Sequence, residues 1–198
     1  MKIAVMGSGG MGGYYGGLLA AAGKDITFIA RGGHFEAIQK NGLLLRGETE
    51  EIKINPVSIS NRCKDVGEVD VVLFCVKLYD TEAAAEEIKP LIGPDTMVIS
   101  VLNGVDGPDR IERVIGRGHV VGGAAYASAV IEEPGVIRFK STSGRLKIGE
   151  FGGKISHRIS EFRDACEKAN FACELTDNIL GALWDKFILL ATNSGLSC

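Results

Sequence analysis

Several short segments of this chain carry residue types that could do chemistry. Gly7-Ser8-Gly9-Gly10-Met11-Gly12 fits the spacing G-x-G-x-x-G. The pattern is weak alone, but here a short apolar run over residues 2–6 ends just before it, and a small-residue, helix-compatible stretch starts near Gly10. In such a strand–loop–helix unit one glycine makes the tight turn and another lets the backbone approach a pyrophosphate. The third lets the helix rest on the strand, and the helix N-terminus favours phosphate charge. About 20 residues beyond the loop an NAD site usually carries Asp or Glu for the ribose 2′-hydroxyl. This chain has Arg31 there, a planar cation suited to a 2′-phosphate, which predicts NADP (NADPH) as the cofactor.

Three further residues could act on a substrate. Lys77 follows the apolar run VVLFCV and Asn103 follows VISVL. In an open α/β sheet ligands bind outside the carboxyl ends of the strands, so both would line the crevice of the glycine loop, although each alone also reads as a solvated loop residue. Lys186 lies in Trp184-Asp185-Lys186-Phe187 of the last, mostly apolar segment. It reads either as a lysine whose ammonium reaches back to water or as a partly buried ammonium giving a proton to a substrate oxygen. Pairing with Asp185 is disfavoured, because helix neighbours one apart do not face each other. Trp184 reads as core. His34, His119 and His157 stand in unrelated contexts and suggest no metal site; His34 reads as the start of a surface helix, with approach to the cofactor phosphate as the alternative.

The elements that must position these residues alternate. Strand signals cover residues 2–6, 25–30, 69–76, 97–102 and 119–126, with helical signals over 10–22, 34–40, 81–89 and 109–115 between them. Residues 42–46 and 51–55 read as two strands of a hairpin-like excursion. The run VDVVLFCV is continuously apolar, as in a strand buried on both faces. Strands separated by helices imply right-handed crossovers, hence an α/β, Rossmann-type doubly wound, mostly parallel sheet. After Ser128 the pattern changes: residues 136–140 and 145–149 alternate apolar and polar residues as antiparallel strands do. An amphipathic helix over 156–170 and a short strand over 171–175 follow. From Asn178 the chain is apolar on nearly every side, so it predicts a helix buried among other helices, the first of a truncated all-α domain. The expected organisation is a nucleotide-binding domain over 1–176 and the start of a helical domain over 177–198.

Composition excludes several classes. Lys plus Arg is 22 and Asp plus Glu 25, a net charge of −3, which argues against nucleic acid as a partner. A hydrophobic share of 45% supplies ample core and excludes disorder. The 27 glycines are about twice the usual share, follow no three-residue period and point to tight turns and close approaches. Cys63, Cys75, Cys166, Cys173 and Cys198 form no C-x-x-C pair, so neither a disulfide framework nor zinc is suggested and a reducing cytoplasm is expected. No signal peptide and no membrane-spanning stretch is read.

The ordered segments MKIAVMGSGGMGGYYGGLLA, ITFIARGGH, FCVK, VLNGV and LWDKF resemble the ketopantoate reductase (2-dehydropantoate 2-reductase) family over the whole given chain. The resemblance implies an N-terminal Rossmann domain, a helical C-terminal domain and a cleft between them. It implies NADPH-dependent reduction of 2-dehydropantoate to (R)-pantoate, on the route to pantothenate and coenzyme A. Carried over, the loop from Gly7 to Gly12 binds the pyrophosphate and Arg31 meets the 2′-phosphate. Lys77 and Asn103 contact cofactor and substrate, Ser128 lines the nicotinamide side, and Lys186 donates the proton. Two departures matter. The pantoate-making pattern often has asparagines four and eight residues after that lysine, where this chain has Leu190 and Ser194, with Asn193 on roughly the same face as a substitute for substrate binding. The family's substrate-binding serine and glutamate belong to the helical domain and fall after Cys198, so the 198-residue chain is expected to bind NADPH and turn over poorly. A reductase of another 2-oxo acid or carbonyl, and a cofactor-binding module without catalysis, are the alternatives. A homodimer through the apolar last helix is compatible with the pattern.

Overall fold

The computed structural model describes residues 1–140 and 144–196. Strand β1 (Lys2–Met6) and helix α1 (Gly10–Ala21) flank the glycine loop. They are followed by β2 (Asp25–Ile29), α2 (Gly32–Asn41), β3 (Leu43–Arg46), β4 (Glu51–Ile54) and β5 (Ser58–Ser60). The alternation resumes with β6 (Val69–Phe74), α3 (Thr81–Glu87), β7 (Ile92–Ser100), α4 (Gly107–Ile115) and β8 (Val120–Tyr126). Next come β9 (Ala129–Glu133), β10 (Val136–Phe139), β11 (Arg145–Gly149), α5 (His157–Lys168), β12 (Cys173–Leu175) and α6 (Ile179–Leu196).

The main sheet has eight strands in the order β12-β11-β8-β7-β6-β1-β2-β5. From β5 to β8 every neighbouring pair is parallel, and β11 closes that row antiparallel to β8. Counting only the six parallel strands, the chain visits them as 3-2-1-4-5-6, the doubly wound order expected of a Rossmann fold. The apolar runs are buried on both faces and split by the strand period of two. Ile3, Val5, Val71, Leu73 and Ile99 enter one core, which holds α1 and α5. Ala4, Met6, Val72, Phe74 and Val98 enter the other, which holds α3 and α4.

Helix α1 explains part of the glycine excess, because it lies between two sheets. Its Gly16 faces β1 and β2, where an added Cβ would stand 2.7 Å from Val5 and 2.8 Å from Phe28. Its Gly13 and Gly17 face the other way, where a Cβ would stand 2.7 Å from Ile137 and 2.9 Å from Leu45. Those two residues belong to a second, four-stranded sheet in the order β4-β3-β10-β9. A helix covered on both sides needs no polar face, which is why its sequence is apolar all round.

Strands β10 and β11 each have an antiparallel neighbour, as their alternation predicts, but in different sheets: β10 lies antiparallel to β9 and parallel to β3, whereas β11 joins β8 in the main sheet. Strands β5 and β9, which no sequence pattern marks, end the main and the small sheet. Two sequence expectations need correction. Helix α6 buries only Ile179, Leu183 and Lys186, so it is not enclosed on every side. Trp184 is not core: it is 47% exposed and stands edge-on to Phe187 with ring centroids 5.8 Å apart.

Cys63, Cys75, Cys166 and Cys173 are free thiols, and Cys198 lies outside the described residues. Burial pushes the Cys75 thiol up to about 12, as befits a small apolar filler. No helix among the described residues is long and apolar enough to cross a membrane.

Candidate active site

The strand order converts five separate segments into one line. Arg31 follows β2, the glycine loop follows β1, Lys77 lies just past β6, Asn103 past β7 and Ser128 past β8, all at the carboxyl edge of the sheet. At about 4.8 Å per strand the row from β2 to β8 spans roughly 19 Å. Arg31 and Ser128 therefore mark opposite ends of a shallow edge, with the loop, Lys77 and Asn103 between them. Arg31, Lys77, Asn103 and Ser128 are all solvent-exposed.

The loop itself is held by strand ends rather than by its own helix. Gly7 has φ +90°, and a Cβ there would stand 3.0 Å from the Cys75 carbonyl, so both the turn and the close approach of β6 require glycine. Ser8 is buried; its hydroxyl donates to the Ile29 carbonyl at 2.9 Å and its amide to the same oxygen at 3.3 Å. Ser8 thus ties the loop to the end of β2. The first bond of α1 runs from the Gly13 amide to the Gly9 carbonyl at 2.6 Å. The amides of Gly10, Met11 and Gly12 precede it and form the electropositive start of the helix.

The glycines of the motif divide their work. A methyl on Gly12 would run into the Gly7 carbonyl and stand 2.9 Å from Val5, so this position serves helix-on-strand packing. A methyl on Gly10 would run into the Ala129 carbonyl, because β9 crosses directly over the loop. Only Gly9 is open: its Cβ would meet nothing nearer than the end of Ile131, at 3.9 Å.

A groove of about 260 Å³ opens beside Gly9. Gly7, Ser8, Gly9 and Arg31 line it, together with apolar Ile29, Ala30, Val76, Ala83, Ala84 and Ile131. It joins a slot for a flat apolar ring to backbone amides at one end and a guanidinium at its rim. Arg31 forms an exposed ion pair with Glu87 at the end of α3. Lys77, Asn103 and Ser128 lie farther along the edge and outside this groove.

Two further residues, His34 and Asp80, line this groove. His34 is half-buried rather than a surface helix start, and its ring bonds both the loop and a distant turn. Asp80, just before α3, lines the groove with Arg31. A histidine three residues after Arg31, at the head of a helix that begins at the groove, was the signal available for the first.

Lys186 is placed by α6. Ile179 lies over Gly122, and Leu183 joins Ala124 with Tyr126 alongside. The spacing i, i+4, i+7 then carries Lys186 toward the carboxyl end of β8, near the Ser128 end of the row. Its side chain is only 8% exposed, and no carboxylate among the described residues lies within ion-pairing reach. Desolvation alone holds its ammonium below the usual lysine range. Asn193 sits on an exposed turn of α6, as does Leu190. Among the described residues no three His, Cys, Asp or Glu side chains gather closely enough to hold a metal ion.

A family model described as "Ketopantoate reductase PanE/ApbA" matches residues 3–153. A 2-dehydropantoate 2-reductase of Pyrococcus horikoshii is 34% identical over 189 residues, covering 96% of this chain and 60% of the relative. Among solved structures, a 2-dehydropantoate 2-reductase from Porphyromonas gingivalis superposes with TM-score 0.89 at 32% identity, covering 96% of this chain and 69% of that one. A D-mandelate dehydrogenase in complex with NADH and anilino(oxo)acetate superposes with TM-score 0.85 at 26% identity, covering 94% of this chain and 60% of that one. The chain spans about three fifths of the length of the curated relatives it matches.

Proposed function

Since the chain belongs to the ketopantoate reductase PanE/ApbA family, we propose that it is the NADPH-binding portion of a reductase that converts 2-dehydropantoate to (R)-pantoate. The observation that carries this reading is the single row at the carboxyl edge of the sheet, with a buried Lys186 that pairs with no carboxylate among the described residues at the end opposite Arg31. The residues fit a dinucleotide laid along that row. The apolar slot would hold the adenine, Arg31 the 2′-phosphate, and the amides of the glycine loop the pyrophosphate. Asn103 and Ser128 would hold the nicotinamide end.

Bound NADPH supplies a hydride to the keto carbon. Lys186 would hold the proton at its Nζ and give it to the keto oxygen, which becomes the hydroxyl of the alcohol. A desolvated ammonium is a stronger acid than one in water, which suits the donor role. Lys77 and Asn103 offer a cation and an amide to cofactor and substrate, and Asn193 a second amide from α6. Residues 1–176 form the dinucleotide domain in this reading, and 177–198 open a helical substrate domain. The exposed apolar residues Leu180, Trp184, Phe187, Ile188 and Leu189 support such cover.

A second reading, reduction of a different 2-oxo acid, is favoured by Leu190 and Ser194 standing where the pantoate pattern often has asparagines. A panel of branched and aryl 2-oxo acids separates the two by kcat/KM.

The first test is a fluorescence titration of the chain with NADPH and, in parallel, NADH. The expected outcome is NADPH binding at least about tenfold tighter, the effect of one charge-assisted phosphate contact. Replacing Arg31 by Ala should weaken NADPH by about the same factor and leave NADH within about twofold. The lower end of the usual range applies, because Arg31 is exposed and already engaged by Glu87. Equal binding of both dinucleotides by the unmodified chain removes the 2′-phosphate role from Arg31.

A further inference from the structure

We propose that His34 is a positioning residue of the cofactor groove: as a neutral imidazole it locks the glycine loop to the β9–β10 turn, so that the small sheet sets where the phosphate-binding amides stand. This rests on the dinucleotide reading above and adds to it a residue, a tautomer and a sign of pH dependence.

The two ring nitrogens have partners that leave no choice of proton position. Nε2 lies 2.8 Å from the carbonyl oxygen of Ser8, which can only accept, so Nε2 carries hydrogen. The Gly135 amide donates to Nδ1 at 3.1 Å, so Nδ1 carries none. The ring therefore joins the second residue of the glycine loop to Gly135, which lies 101 positions beyond His34. Gly135 occupies the turn between β9 and β10 with φ +84°. The same turn brings β9 across the loop, with the Ala129 carbonyl over Gly10 and Ile131 over Gly9. Backbone cover and imidazole bridge together fix the loop from the side opposite β1 and β6.

An imidazolium cannot make this bridge, because a proton on Nδ1 would face the Gly135 amide hydrogen. Burial accordingly holds His34 below its ordinary value of 6.5, against the opposing pull of the Ser8 carbonyl. The charged groups of the same groove and turn are Arg31 before α2, Asp80 before α3 and Glu133 at the end of β9. Neither ring nitrogen is bonded to any of them. The alternative role for a histidine beside a phosphate loop is direct cationic contact, and it predicts the opposite sign. A bridge tightens dinucleotide binding while the ring is neutral and loses that effect only as pH falls through the lowered value, below 6.5. A cationic contact would strengthen as pH falls.

The test titrates NADPH into the chain and its His34→Ala variant at about pH 8 and at the lowest pH at which unfolding curves show both still folded. The expected result is about tenfold weaker binding by the variant at the higher pH, from two neutral hydrogen bonds, with that gap closing at the lower pH. His34→Gln, which keeps a donor toward Ser8 and loses the acceptor for Gly135, should fall between them and show no closing gap; it replaces the alanine variant if that chain fails to fold. Equal affinities at the higher pH, or a gap that widens on acidification, overturn the proposal. Failure of the unmodified chain to bind NADPH at either pH would instead overturn the dinucleotide reading on which it rests.

Discussion

Replacing Lys186 with Met in an active reductase carrying this sequence should lower kcat by about 10²- to 10⁴-fold, the usual worth of a positioned general acid. NADPH affinity should stay within about twofold, because Lys186 approaches the row from α6 and lies outside the groove beside Gly9. The same change should make the protein more stable. A buried ammonium with no carboxylate in reach is a cost to the fold. Desolvation lowers its value in the folded chain, whereas the unfolded chain keeps the ordinary 10.5. Between those two values the unfolded state binds more protons, so stability rises with pH there, and below that window the full cost remains. Met fills the same volume without charge, and a gain of about 1–2 kcal/mol is expected at neutral pH, read as a rise of a few degrees in Tm. The pH profile of kcat follows from the same group. The proton donor is lost as pH rises through the lowered value, so the alkaline limb should lie below 10.5 and vanish in the variant. An unchanged kcat in Lys186→Met would remove Lys186 from the chemistry.

That a gain in stability should accompany a loss of activity shows why Lys186 was only half-readable from the chain. Its sequence neighbours Trp184 and Phe187 suggest a buried helix, yet both are nearly half exposed, and the lysine is the enclosed residue. Apolar composition says that a surface must be covered without saying by what. Only the tertiary facts that Ile179 rests on Gly122 and Leu183 beside Ala124 decide which face turns inward. The glycine loop and the parallel strands were legible for the opposite reason. Their signals are local: VDVVLF must be covered on both faces wherever it lies, and a strand, a glycine turn and a helix in succession allow few arrangements. Strand β9 and the β10–β11 separation were not legible, since alternation assigns faces and leaves neighbours open. His34 belongs to the same class. Its ring is meaningful because of Gly135, and no local pattern links two residues so far apart.

The sharpest separation of packing from binding lies inside the glycine motif, where two changes of one methyl should behave differently. Gly12→Ala places that methyl against the Gly7 carbonyl and 2.9 Å from Val5, both parts of the core seam between α1 and β1. Neither neighbour is a flexible surface side chain, so the helix must move off the strand. A loss of about 2–3 kcal/mol is expected, within the range of overpacked cores, with dinucleotide affinity falling because the loop moves as well. Gly9→Ala meets nothing closer than Ile131 at 3.9 Å, and Gly9 has φ −72° and an extended ψ that alanine adopts without strain. Its stability should remain within about 0.5 kcal/mol of the parent. Yet its methyl enters the groove where a pyrophosphate would contact the amides at the start of α1, and NADPH affinity should fall by about tenfold or more. Chemical unfolding and fluorescence titration of the two variants, done side by side, read these effects independently. A Gly9→Ala chain that binds NADPH as well as the parent would show that the phosphates do not approach the loop at this glycine. The dinucleotide would then have to lie farther toward Lys77, and the assignment of the apolar slot to adenine would fall with it.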